Sequence, residues 1–189
     1  MFQVKRSLPA AAIALALAAA TFPASSAAHP GHEPDGLRQV REATSAFRDI
    51  EAAKAAGYEK VSECEDDPKY GGMGFHYGNP ELIADGKLDA TRPEILVYQP
   101  TRNGKLRLGA VEYFQADGDQ DLETDPDRPS MFGMPFDGPM LGHNPKMPIH
   151  YDLHVWLYRH NPAGKFAMWN PTVSCPDEPG PLSASPDHH

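Results

Sequence analysis

From residue 37 to 56 apolar side chains recur at steps of three and four: Leu37, Val40, Ala43 or Thr44, Phe47 and Ile50, with Arg and Glu between them. That period is one face of an α-helix. Gly57 is a stop signal. Asp49 is placed to cap a second start, so two short helices joined by a kink are an alternative to one. From Tyr58 onward the reading is strand and loop. The segment 71–80, with its four glycines, is too glycine-rich for a helix. The runs 94–99 and 105–115 flank Arg102-Asn103-Gly104, and Asn-Gly between two apolar runs signals a hairpin. Residues 116–129 form an acidic loop, and 130–148, rich in Pro, Gly and Met, is expected to wrap the surface. A strand over 149–159, a turn at 161–164 and a return strand over 165–170 complete the pattern. The predicted class is α+β: an N-terminal helical segment packed on a mainly antiparallel β-sheet or small barrel, stapled by one disulfide.

Strand parity is the most informative tool for chemistry, because alternate side chains face opposite sides. Over 149–158 the odd positions, Ile149, Tyr151, Leu153, Val155 and Leu157, make an apolar face. The even positions are His150, Asp152, His154, Trp156 and Tyr158. A face of that composition predicts an enclosed polar pocket. Residues two apart lie about 6.6–7 Å apart along a strand and residues four apart about 13 Å. Asp152 can therefore share one ion with His150 or with His154, or orient one of them, whereas His150 and His154 together need a bend. On 105–115, Leu106, Leu108, Ala110, Glu112 and Phe114 share a phase, which places Glu112 among apolar residues unless Gly109 marks a bulge that turns it to water. A buried carboxylate requires a partner or a metal. His76 lies in the glycine-rich segment, where backbone and ligand can approach closely.

Composition changes the picture at the ends. Lys5-Arg6, an apolar run over 8–20 and the small residues through Ala28 make a secretory leader over 1–28. The run is too short to span a bilayer, and no later segment is long and apolar enough. The rest divides into a flexible His-containing arm over 29–36, a single domain over 37–175 and a disordered tail over 176–189. Loss of Lys5 and Arg6 with the leader takes the net charge from −9 to −11. Such acidity excludes nucleic acid and an anionic membrane surface as partners. Cys64 and Cys175 are the only cysteines, and in an oxidising compartment, periplasmic or extracellular, a disulfide is the simplest pairing.

Other histidines are secondary candidates. Cleavage after Ala28 makes His29 the new N-terminus, whose amine and imidazole can chelate one metal, and His143 lies beside a run of methionines. Met131, Met134, Met140 and Met147 fall in one stretch near His143 and His150, and thioether with imidazole is a donor set that suits copper. The acidic run 117–128 departs from a calcium loop at its sixth and twelfth positions, Leu122 and Arg128. There is no Cys-x-x-Cys-His, no Gly-x-Ser-x-Gly and no phosphate loop.

The segments 72–77 (Gly-Met-Gly-Phe-His-Tyr), 92–98, 109–114 (Gly-Ala-Val-Glu-Tyr-Phe), 147–156 (Met-Pro-Ile-His-Tyr-Asp-Leu-His-Val-Trp), 161–166 and 169–175 resemble those of small exported bacterial proteins of unassigned function. The resemblance implies an exported domain and carries no activity.

The residues themselves predict one transition-metal ion, copper first and zinc, iron or manganese next, held by His76, Glu112, His150 and His154 with Asp152 as ligand or orienter. Two other functions compete. One is a metal-free binding module, taking a small molecule in a pocket lined by Phe75, Tyr113, Trp156 and Tyr158. The other is a hydrolase or oxidoreductase that uses the metal.

Overall fold

A computed structural model describes residues 35–142 and 147–176 of the protein. The leader, His29, His143 and the residues from 177 onward lie outside the described residues. The chain opens with α1 (Asp35–Thr44), a 3-10 turn (Ser45–Arg48) and α2 (Ile50–Ala55). The kink falls at Asp49, whose carboxylate accepts the Glu51 N–H and so caps α2. Gly57, with φ of 94°, ends this part of the chain in a backbone region that favours glycine.

The strands are β1 (Glu59–Lys60), β2 (Glu65–Asp67), β3 (Gly71–Gly78), β4 (Ile95–Pro100), β5 (Leu106–Ala116), β6 (Ser130–Met131), β7 (Met134–Pro135), β8 (Asp137–Met140) and β9 (His150–Val155). Their pairing is antiparallel throughout, in the order β1-β3-β4-β5-β9-β8, with β2 also on β3 and β6 with β7 in a separate ribbon. The β4–β5 hairpin turns at Asn103-Gly104, as the sequence predicts.

Four expectations need correction. Residues 80–85 are a helix, α3 (Pro80–Asp85), inside a stretch read as strand and loop. Asn79 caps it by accepting from the Glu81 and Leu82 N–H groups, Pro80 sits in its first turn and Gly86 ends it in the left-handed region. The 130–148 segment is not only a wrap, since β8 joins the sheet beside β9. The last strand stops at Val155 rather than 159, because the Tyr158 and Arg159 N–H groups both turn to the Gly109 carbonyl and Trp156 N–H to that of Lys165. Residues 165–170 make turns, with Asn170 bridged to Gly72, rather than a return strand.

The sheet is buried on both faces along β4, β5 and β9. One face carries the main core: Tyr77, Leu96, Tyr98, Leu108, Val111, Tyr113, Leu153 and Val155, in one cluster with Leu37, Val40 and Ala53. The register between β4 and β5 slips at Gly109, where Val97 faces Ala110 and Tyr98 faces Leu108. Leu106, Leu108, Ala110, Glu112 and Phe114 therefore do not share one face. Leu108 belongs to the main core, while Ala110 packs with Val97, Trp156 and Val173 on the other side. A bulge of one residue flips every side chain beyond it. Glu112 stays buried all the same, because the second face is covered too.

The Cys64–Cys175 disulfide joins positions 111 residues apart. Beside it, the Gly72 N–H donates to the carbonyls of Asn170 and Val173, so the end of the domain is held along β3. Among the described residues no helix is long and apolar enough to cross a membrane.

The carboxamide of Gln99 lies over Gly109 where a side chain would stand. Gly109→Ala should therefore lower stability by about 1–3 kcal/mol through overpacking. Adding Gln99→Ala should restore most of that loss, as read from denaturant unfolding midpoints of the two variants.

Candidate metal centre

Strand register builds the site. Glu112 and His154 are directly opposed on β5 and β9. His76 on β3 sits opposite Val97, one strand further away, and its ring reaches across β4 toward Glu112. The Nε2 of His76 lies 3.3 Å from Glu112 Oε2, and the Nε2 of His154 lies 3.5 Å from the same oxygen. His76, Glu112 and His154 are buried, at 5 %, 3 % and 1 % exposure. They form the one group among the described residues whose donor atoms all lie within 4.8 Å of each other.

Those distances discriminate between two kinds of contact. Glu112 Oε2 and both ring nitrogens of His154 have no hydrogen-bond partner although they are buried, and a buried polar atom left so costs about 1–3 kcal/mol. Ligands held tetrahedrally at about 2.0–2.2 Å from a metal lie about 3.3–3.6 Å from one another. The separations of the two imidazoles from Glu112, 3.3 and 3.5 Å, fall within that interval.

Neighbouring groups orient the donors. Ser62 donates its hydroxyl proton to the Glu63 carbonyl, at 2.8 Å, and its Oγ lies 2.8 Å from His76 Nδ1. With its one proton so placed, Ser62 accepts from Nδ1–H, and a neutral His76 then turns the lone pair of Nε2 toward Glu112. Asp152, two positions before His154 on the same strand, has Oδ1 at 3.6 Å from His154 Nδ1. It stands beside that ring without a hydrogen bond to it. Ser62 was invisible to sequence reasoning, since nothing in its local pattern marks it.

The remaining candidates go elsewhere. His150 faces Ala116, four positions up the strand from His154. Its ring stacks on Phe114, its Nδ1 lies 3.1 Å from the Pro148 carbonyl, and its Nε2 is 4.0 Å from Asp152 Oδ2. The spacing of a regular strand keeps it out of the triad, although the sequence reading counts it among the ligands. The four aromatics expected to line a pocket do not gather in one. Tyr113 is in the main core with its hydroxyl on the Ala90 carbonyl, Trp156 lies with Val97 and Ala110, Tyr158 bonds Thr44 and Arg41, and Phe75 carries the Lys60 ammonium over its ring. Of the four clustered methionines, Met147 lines the cleft that reaches His76 and Glu112.

Burial pushes the Glu112 carboxyl up to about 8, against the pull of His154 and with help from Asp152, Glu65 and Glu94. Burial acts to lower the pKa of His154, but Glu112 first, then Asp152 and Asp137, together hold it up at about 9. Burial also raises Glu94 to about 7. Without metal the cluster therefore holds protons at neutral pH, and an incoming dication must displace them. Comparison with family models, with curated proteins and with solved structures gives no match, so these residues alone carry the functional reading.

The pH dependence has a definite sign. A carboxyl or an imidazole whose folded pKa is raised binds more protons in the folded state, so its contribution declines as pH rises. The metal-free protein should lose stability between the ordinary carboxylate value of 4.5 and about 9, measured by denaturant unfolding across that range. Metal uptake at neutral pH should release protons, checked by titration calorimetry in buffers of different ionisation enthalpy.

Proposed function

We propose that the exported domain binds one divalent transition-metal ion through His76, His154 and Glu112, with Asp152 orienting His154 and Ser62 orienting His76. The observation that carries this reading is a group of three buried donor residues within 4.8 Å of one another, two of the separations at tetrahedral edge distances, in which Glu112 Oε2 and both ring nitrogens of His154 lack a hydrogen-bond partner. Two imidazoles and a carboxylate suit zinc, iron, manganese and copper. Copper leads if a thioether completes the set, and Met147 is the methionine placed beside the site. Export is supported by the disulfide, which persists in oxidising compartments.

Three protein donors leave a coordination position for a further ligand, the arrangement of catalytic rather than structural sites. That observation favours, as a second reading, a metal-dependent hydrolase or oxidoreductase over a purely structural ion.

Mature protein purified without a histidine tag should hold close to one ion per chain by elemental analysis. His76→Ala or His154→Ala should weaken affinity by about 100-fold or more, and Asp152→Asn by about 10–100-fold. A fully folded chain that takes up neither copper nor zinc refutes the proposal. Met147→Leu should weaken copper selectively and leave zinc unchanged if copper is the native ion.

A further inference from the structure

We propose that a second cleft, at the hairpin end of β4 and β5, binds a phosphate group, either free or carried by a small ester. None of the metal centre's residues lines it, and the binding needs no ion. The cleft has a volume of about 330 Å³. Gln99 from β4, Arg107 from β5, Arg102 from the turn between them, Arg159 from the chain beyond β9, and Ser174 near the end of the domain all line it. Three arginines therefore share one cleft in a chain whose net charge is −9. Elsewhere Arg38 and Arg128 pair with Glu42 and Asp125. Among the described residues none of the three cleft arginines lies within ion-pair distance of a carboxylate. Like charges gathered in this way repel one another, and an anion seated among them turns that repulsion into attraction.

Local structure builds the cleft. Gln99 and Arg107 are directly opposed on the β4–β5 ladder, so their side chains leave the same face of the sheet. The Arg159 N–H donates to the Gly109 carbonyl, which brings that residue to the same hairpin. Its side chain is held in place: Nε donates to Thr172 Oγ1 at 2.8 Å, and Nη2 donates to the Thr172 carbonyl, which leaves Nη1 for a ligand. The segment that holds it is fixed in turn, since the Val173 carbonyl accepts from the Gly72 N–H and Cys175 closes the disulfide. Gln99 is 3 % exposed, and its Nε2 is buried with no hydrogen-bond partner. The cleft thus already contains a buried donor that the chain does not match. This donor set selects the anion. A single guanidinium fork satisfies both oxygens of a carboxylate. Arginines from three separate stretches suit a group with oxygens on several sides and more than one charge, as phosphate has. The volume falls at the lower end of small-molecule pockets, so a short ester has room. The acidity of the whole chain opposes a polyanion, and the ligand is small for that reason too.

The test follows isotope-labelled mature protein by NMR, reading backbone amide and arginine Nε–H signals at neutral pH and constant ionic strength. Inorganic phosphate, glycerol phosphate and acetate are titrated in turn. Phosphate or its ester should shift the signals of Arg102, Arg107, Arg159 and Ser174 and bind about tenfold more tightly than acetate. The tighter of the two shows whether free phosphate or an ester is the source. Arg107→Gln should weaken phosphate binding about fivefold, and Arg107→Lys, which keeps the charge without the fork, should weaken it less. Arg38→Gln removes the same charge elsewhere and should leave the affinity unchanged. Arg102→Gln serves as a second variant should Arg107→Gln not fold. Phosphate and ester both bound no more tightly than acetate, or equal losses from Arg107→Gln and Arg38→Gln, overturns the proposal. Shifts confined to the surroundings of His76, Glu112 and His154 overturn it as well, because the phosphate is then bound at the metal centre.

Discussion

A carboxylate stands in the middle of a sheet whose two faces are both covered, and the arrangement around it follows from that. Glu112 lies on β5 between Ile95 on one neighbour and His154 on the other. Removing an unpaired carboxylate from water costs several kcal/mol, which only opposite charge, a proton or a metal can offset. The fold supplies two imidazoles within 3.5 Å of the same oxygen, one hydrogen-bonded to a hydroxyl and the other 3.6 Å from a second carboxylate. Packing alone would place an apolar residue there.

The two faces of the sheet show the contrast. On the main-core side, tyrosine hydroxyls end on backbone carbonyls: Tyr58 on Pro93, Tyr98 on Phe47 and Tyr113 on Ala90. Every one of those buried polar atoms is satisfied, as a structural core requires. On the opposite side Glu112, Asp152 and His154 keep buried atoms with no hydrogen-bond partner. The same strands therefore carry paired tyrosine hydroxyls on one surface and a network with unpaired atoms on the other. A site on strands whose other face is so packed holds its donors more closely in place than a loop would.

Sequence patterning revealed the parts of this arrangement that depend on local periodicity. Alternation along residues 150–155 separates the apolar and polar faces of β9, but counting His150 among the ligands does not match the structure, which groups His154 with His76 and Glu112 alone. The hairpin and the kink at Asp49 follow from Asn103-Gly104 and from a capping carboxylate. What periodicity could not foresee came from longer range. The slip at Gly109 depends on Gln99 lying over it, so Leu108 and Glu112 were assigned to one face when they occupy two. Burial of Glu112 was right for a different reason, namely that a second layer covers its face. The helix after Asn79 had its signals in Asn79-Pro80 and Gly86, but its single turn and a half shows too little periodicity. Ser62 and the asymmetry of His76 and His154 depend on tertiary contacts with no local trace.

Every component of the site comes from a different part of the chain. His76 precedes the central hairpin, Glu112 belongs to it and His154 follows after the acidic loop, while the disulfide closes only once Cys175 is available. Contacts of such long range form slowly, because each must close a large loop before it contributes anything. The three donors have no common location until β9 has docked against β5. An unfolded or half-assembled chain lacks this arrangement of donors, so on the proposed reading the binding free energy would act mainly on the finished fold. On the proposed reading, metal loading would then mark a chain whose β9 has docked against β5.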